Sequence, residues 1–399
     1  MPQDEVFNGK LTVPASVRRL ADMSTPFGEM AVSQRTPIIQ INGSYDTSML
    51  RDVMKTTGTA SIESVDSEFE LKTQTTGEKA TMLSASRGRY TPGYAGECGV
   101  GIRVPEVPEG DSIIRAGYFD TVPGGQAIND GAVFEKRADS NSIAIYKKGE
   151  LITRVREKDW NLAPDEEVDL ADGWILQILF VYYGYGPIWF RLLSPTRERV
   201  IDLHKELTFG RPSLANSNLQ VGCQIENEQD SELVAYLSGR QFAVLGNPIF
   251  KIRKVSHLRQ NINVPTTNYV PVMSFRRKSG RRAVPIQIKE LEAITNNDIV
   301  IQWRVGADIN DTEWITPNNH DSDEVALEVN VDADTVDMNI GVKVDEDLII
   351  GGTGPQPRQF TEDETASDIP DESVVTMCAK SIDGSAATLT AIGKMVEER

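Results

Sequence analysis

The run from Ser142 to Leu193, SIAIYKKGELITRVREKDWNLAPDEEVDLADGWILQILFVYYGYGPIWFRLL, constrains this chain more than any other stretch. It opens with the alternating SIAIY, turns at Lys148-Gly149 and continues as ELITRV to the triplet Asp159-Trp160-Asn161. An acidic loop follows, then WILQILFVYYGYG, which restarts as PIWFRLL. Short runs rich in Ile, Val, Tyr, Phe and Trp, punctuated by Gly, Pro, Asn and Asp, form strands and hairpins. An amphipathic helix of this length would show one apolar face at a 3.6-residue period, and none is present. The stretch predicts the centre of a β-sheet core, with Trp160, Trp174, Phe180, Trp189 and Phe190 buried.

The same pattern continues on both sides. Residues 1–35 lack a sustained period and read as an extended N-terminal arm, with a short helix over Pro14–Met23 where proline suits a helix start. Strand signals begin at Thr36–Asn42. The Thr/Ser-rich tract Thr57–Ser86 alternates polar and small residues, as a sheet with one wet face does. Pro92-Gly93 closes it with a turn. Strand-like ECGVGIRV, SIIRAGYFD, AVFEKR, LQVGCQIENE, LVAYLSGRQFAV and FKIRKVSHLRQN follow at short spacing, which leaves no room for the crossover helices of a parallel sheet. Pro and small polar residues interrupt the pattern at Ile262–Asn268. A second set of strands runs from Val270 to beyond Val344, and the acidic run Glu362–Glu372 reads as a mobile loop. The expected fold class is all-β: two antiparallel β-sandwich, jelly-roll-like domains, 36–264 and 265–399, behind the arm 1–35.

Composition narrows the function classes. A net charge of -18 and a pI near 4.7 argue against a nucleic-acid surface. No apolar run is long enough to span a bilayer as a helix. The first residues, MPQDEVFNGKL, have neither a basic leader nor an apolar signal core, so export by a signal peptide is not expected. Acidic residues spread along the whole chain suit a protein kept soluble in strong salt, and a halophilic source is expected. The three cysteines, Cys98, Cys223 and Cys378, are far apart and read as buried thiols.

Chemistry-bearing motifs are few. The three histidines, His204, His257 and His320, never fall at metal-ligand spacing. Gly184-Tyr185-Gly186 has no helix after it and reads as a turn rather than a phosphate loop. Asp332-Ala333-Asp334 starts like a calcium loop but lacks the central Gly and the distal Glu. No carboxylate pair is signalled as a glycosidase site, and Cys98 reads as a packed thiol rather than a nucleophile. No catalytic, cofactor-binding or metal residue is assigned, and no cofactor. Arg276-Arg277-Lys278 with Arg281-Arg282 is the one dense basic cluster, read either as a hairpin tip docking on an acidic neighbour or as a solvated turn. Asn42-Gly43-Ser44 and Asn310-Asp311-Thr312 match the glycosylation sequon, but their use is not expected.

Several phrases occur in a telling order: Pro26–Ser33, Thr36–Ile41, Arg89-Tyr90-Thr91-Pro92-Gly93, Gly117-Tyr118-Phe119-Asp120, Asp159-Trp160-Asn161, Phe180–Gly186, Met273–Arg277 and Trp314. In that order the chain, up to about Gly352, resembles a family of structural proteins from tailed bacteriophages and archaeal tailed viruses. It departs from the family pattern in having Arg87-Gly88-Arg89 where a doubled Arg stands, and in the acidic run Glu362–Glu372. The resemblance implies a non-catalytic virion protein, a homo-oligomer such as a trimer or pentamer on the capsid or tail surface, with other virion proteins as partners. The alternative is a receptor- or glycan-binding fibre or baseplate protein that meets the host cell surface. Exposed aromatics on one concave face would favour binding, and aromatics buried throughout would favour the structural role.

Overall fold

The computed structural model describes residues 35–162, 168–181, 185–193, 200–207, 212–248, 250–310, 313–317, 320–352, 356–359 and 369–398. Among them the regular elements are strands and three short 3-10 turns, and every strand pairing is antiparallel. The fold is all-β, as expected. The arm 1–34, with its helix over Pro14–Met23, lies outside the described residues.

An eight-stranded sheet and a seven-stranded sheet face each other in the first sandwich. The central stretch forms a hairpin, Asn141–Lys147 and Glu150–Arg156, in the seven-stranded sheet. Its two-residue turn holds Lys148 at φ 52° and Gly149 at φ 82°, the positive-φ pair that matches strand twist. The chain then crosses to the eight-stranded sheet as Trp174–Phe180 and Ile188–Leu193. Alternation along these strands sends Leu176, Ile178, Phe180, Ile188, Phe190 and Leu192 into the core. Trp160 is buried with them, its indole N–H donating to the Val155 carbonyl at 3.2 Å.

Trp174 and Trp189 are only half-buried, contrary to expectation. Trp174 stands at the start of its strand, on the margin of the core. Trp189 has the outward parity of its strand and lies against the cations of Arg191 and Lys205.

A four-stranded and a five-stranded sheet make the second sandwich, around a core in which Phe275 stacks on Trp303. The strand Ile252–Val264, grouped with the first sandwich on sequence, pairs along its length with Ala387–Glu398. The change of sandwich therefore falls before Ile252 rather than at Ile262–Asn268. Local Pro and polar content marked a turn between two strands of one domain there, and partner choice is not written locally.

Candidate functional site

Three phrases far apart in sequence meet in the first core. The Tyr90 ring lies 5.7 Å from Phe180, and Tyr118 stacks on Phe180 at 5.4 Å and on Phe242 at 5.1 Å. The Tyr118 hydroxyl donates to the Ser217 carbonyl at 2.7 Å and accepts from the Leu219 amide at 3.0 Å. A Cβ at Gly88 would come within 2.1 Å of that hydroxyl, and one at Gly96 within 2.8 Å of the Phe180 ring. The phrases around these residues hold the core together rather than line a site.

Asp120, which closes the Gly117–Asp120 phrase, begins a buried chain of charges that joins the sandwiches. Arg87 donates to Asp120 at 3.0 Å, to the Asn218 carbonyl at 3.0 Å and to Asp371 at 2.7 Å. Asp371 also takes Arg282 and lies 3.5 Å from Arg277, while Glu372 pairs with Arg282 and Lys55, each at 2.9 Å. Burial works to raise the Asp371 carboxyl, but the Arg87, Arg282 and Arg277 guanidiniums hold it well below the usual carboxylate range. Asn218 donates to the Ala283 carbonyl and Arg282 to the Thr121 carbonyl, so backbone as well as charge crosses the junction.

This revises two expectations. Most of the basic cluster is anchored on its own chain, while its apex, Ser279, Gly280 and Arg281, is exposed. Arg276 pairs with Glu328 and covers the Trp314 ring, Arg277 and Arg282 turn onto Asp371, and Lys278 and Arg281 donate to the carbonyls of Ser322 and Asp323. Of the acidic run, residues 362–368 lie outside the described residues, and its end is fixed, with Asp371 2% exposed. The cleft of about 660 Å³ beside the cluster is lined by these residues, with Arg276, Arg277 and Arg282 paired to carboxylates and Lys278 and Arg281 held on carbonyls.

The remaining candidates are placed as follows. Cys98, Cys223 and Cys378 are buried free thiols, and burial pushes Cys223 and Cys378 up to about 12, unsuited to nucleophilic work. His204 accepts from the Asn161 amide and lies 3.1 Å from Glu206. His257 is buried, and His320 meets Arg253 at 3.5 Å, so the three histidines stay apart. Among the described residues no group of three His, Cys, Asp or Glu could hold a metal ion. At Asp332–Asp334 the Asn330 and Asn310 side chains accept the backbone amides, as in a turn. Gly184 and Thr312 lie outside the described residues. Tyr185 is exposed, and a Cβ at Gly186 would overlap the Val181 carbonyl, as in a tight turn.

Sequence reading missed the outer face of the eight-stranded sheet. Strand register lines up Gln40, Gln241, Gly99, Gln177 and Arg191 in one row across five strands. Beside it Gly101 stands next to Ile175, which is 45% exposed. The ladder from Leu233–Leu245 to Ala95–Arg103 skips Ser238 and Gly239, where a bulge sits opposite Gly101. On the other side, pairing with Glu68–Thr73 ends at Leu237 and pairing with Arg35–Ile41 begins at Arg240. Among the described residues two positions of a central strand therefore lack ladder partners on both flanks, at the floor of a groove of about 570 Å³. Period-two alternation signals that these side chains point outward, but only register across five strands makes them neighbours.

No protein-family model matches the chain, and no curated protein matches it. Solved structures similar to it include the legume lectin-like domain from Entamoeba histolytica, at 11% identity over 48% of this chain and 89% of that one, with a TM-score of 0.33. Lectin II from Ulex europaeus is similar at 10% identity over 52% of this chain and 99% of that one, with a TM-score of 0.35. The exoplasmic/lumenal domain of VIP36, in its Ca2+/Man3GlcNAc-bound form, is similar at 10% identity over 53% and 90%, again with a TM-score of 0.35. Likeness at this level carries no functional argument.

Proposed function

We propose that this chain is a non-catalytic structural protein of a tailed-virus particle, displayed as a homo-oligomer on the capsid or tail surface. The ordered phrases shared with such proteins support the reading, and so does the burial of the Tyr90, Tyr118, Phe180, Phe190 and Phe242 rings in one core. The observation that carries it is the open periphery of the second sandwich. Among the described residues Ile252–Val264 and Val342–Ile349 are edge strands there, and Ile252, Leu348, Ile350 and Ile382 are each more than half exposed. Sheet edges with exposed aliphatic side chains are a liability in an isolated protein and are commonly covered by symmetric neighbours. Light scattering on the purified chain should give a single closed oligomer, a trimer or pentamer. Mass spectrometry of gradient-purified particles from the source culture should find the chain at structural stoichiometry. A monomer absent from particles overturns the reading.

A second reading, a receptor- or glycan-binding protein of the fibre or baseplate, is favoured by one observation: the notched outer face of the first sandwich.

A further inference from the structure

Glycine inside a strand weakens it relative to alanine, so it persists where something requires it. At Gly96 that something is the aromatic core. At Gly101 a Cβ would press on Ser238 at 3.2 Å, so the bulge requires it. Gly239 belongs to that bulge, but Gly99 has neither reason. Their φ angles lie outside the left-handed region, and the nearest atom to an added Cβ is 3.9 Å away, Gln241 Cβ in one case and the Ile41 carbonyl in the other. Both stand in the outer-face groove. For Gly99 the reason left is close approach of a ligand or another backbone.

We propose that this groove binds an uncharged saccharide chain, laid across the glycine notch between Gln40 and Gln241 on one side and Gln177 on the other. This rests on the second reading above and names its site and ligand class. The side chains of Gln40, Gln241, Gln177, Asn42 and Ser238 offer both donors and acceptors, as a hydroxyl-rich ligand demands. Ile175, 45% exposed, gives the apolar C–H face of a sugar ring a dry partner. The one charged residue lining the groove, Arg240, is 1% exposed and paired with Asp52. A net charge of -18 further disfavours acidic glycans. An extended peptide is the weaker occupant, because strand addition needs a run of open ladder positions and only Ser238 and Gly239 are open here.

Affinity electrophoresis and calorimetry of the full chain against linear glucan, mannan and galactan oligosaccharides, dextran sulfate and an unrelated strand-forming peptide test the proposal. At least one neutral oligosaccharide should bind and the other two probes should not. Gly99→Val should weaken that binding about tenfold or more while leaving the melting temperature unchanged or raised, since valine favours a strand and its Cβ has room. Should that variant misfold, Gln40→Ala with Gln241→Ala should produce the same loss. Neutral binding that survives all these substitutions overturns the site and spares glycan binding. Binding of dextran sulfate or peptide alone overturns the ligand class and spares a receptor role. No binding to any probe overturns both.

Discussion

Trp160 combines two stabilising contributions in one side chain, a large apolar surface removed from water and an indole N–H satisfied by Val155. Truncation removes both and leaves a cavity between the hairpin and the following strands. Trp160→Ala should cost about 3–5 kcal/mol, read as a fall in urea midpoint at constant slope. Asp130 carries the opposite sign. Burial pushes its carboxyl up to about 7, although the amides of Ala215 and Asn216 favour the charge, and the neighbouring Asp120 adds to the rise. Its Oδ1 has no hydrogen-bond partner. Below about pH 4 both folded and unfolded chains hold the proton, so the group is neutral to stability there. From about pH 4 to 7 only the unfolded chain releases it, and stability falls by about 4 kcal/mol across that window. Asp130→Asn should flatten this part of the profile, measured as urea midpoints at pH 5 and pH 8. A midpoint difference equal to that of the unaltered protein would count against it.

At the scale of elements, Asp371 is a central link between the sandwiches, receiving Arg87 from the first and Arg282 from the second. Replacing it by Asn leaves the guanidiniums of Arg87, Arg277 and Arg282 without their shared anion, a loss of about 3–5 kcal/mol for a buried pair broken on one side. Because the folded carboxyl titrates below the usual range, the link is fully present above about pH 4 and is lost as pH falls further. Calorimetry of Asp371→Asn should show two transitions where the unaltered chain shows one. A single transition would mean that the sandwiches are coupled by other contacts. These elements also show what the sequence made legible. Strands and turns were readable because SIAIY-KKG-ELITRV carries its period and its turn residues locally. The Arg87–Asp371 bond spans 284 residues, and nothing near either end announces it. Even the basic cluster misled, since Arg276–Arg282 reads as an exposed tip until its acceptors are known. The groove was hidden for the same reason: Gly99 and Gln241 are ordinary strand residues until register sets them side by side.

For the molecule as a whole, charge sets the conditions under which all of this holds. With 59 acidic against 41 basic side chains, attraction is spent at short range in buried or half-buried pairs such as Arg87–Asp120 and Arg115–Glu226. The acidic excess then acts as repulsion over longer distances. Salt treats the two unequally. The Debye length falls from about 10 Å at 0.1 M to about 3 Å at 1 M, which removes most surface repulsion and leaves buried pairs nearly untouched. Added salt should therefore stabilise the fold. The melting temperature followed by circular dichroism should rise steadily from dilute buffer to molar sodium chloride, with strand signal reduced at the dilute end. Chloride is the salt to use, because sulfate would stabilise through its own exclusion from the surface whatever the net charge. A melting temperature that stays flat or falls with sodium chloride would mean that the acidic excess is already neutralised locally, and that self-repulsion is not what limits this fold.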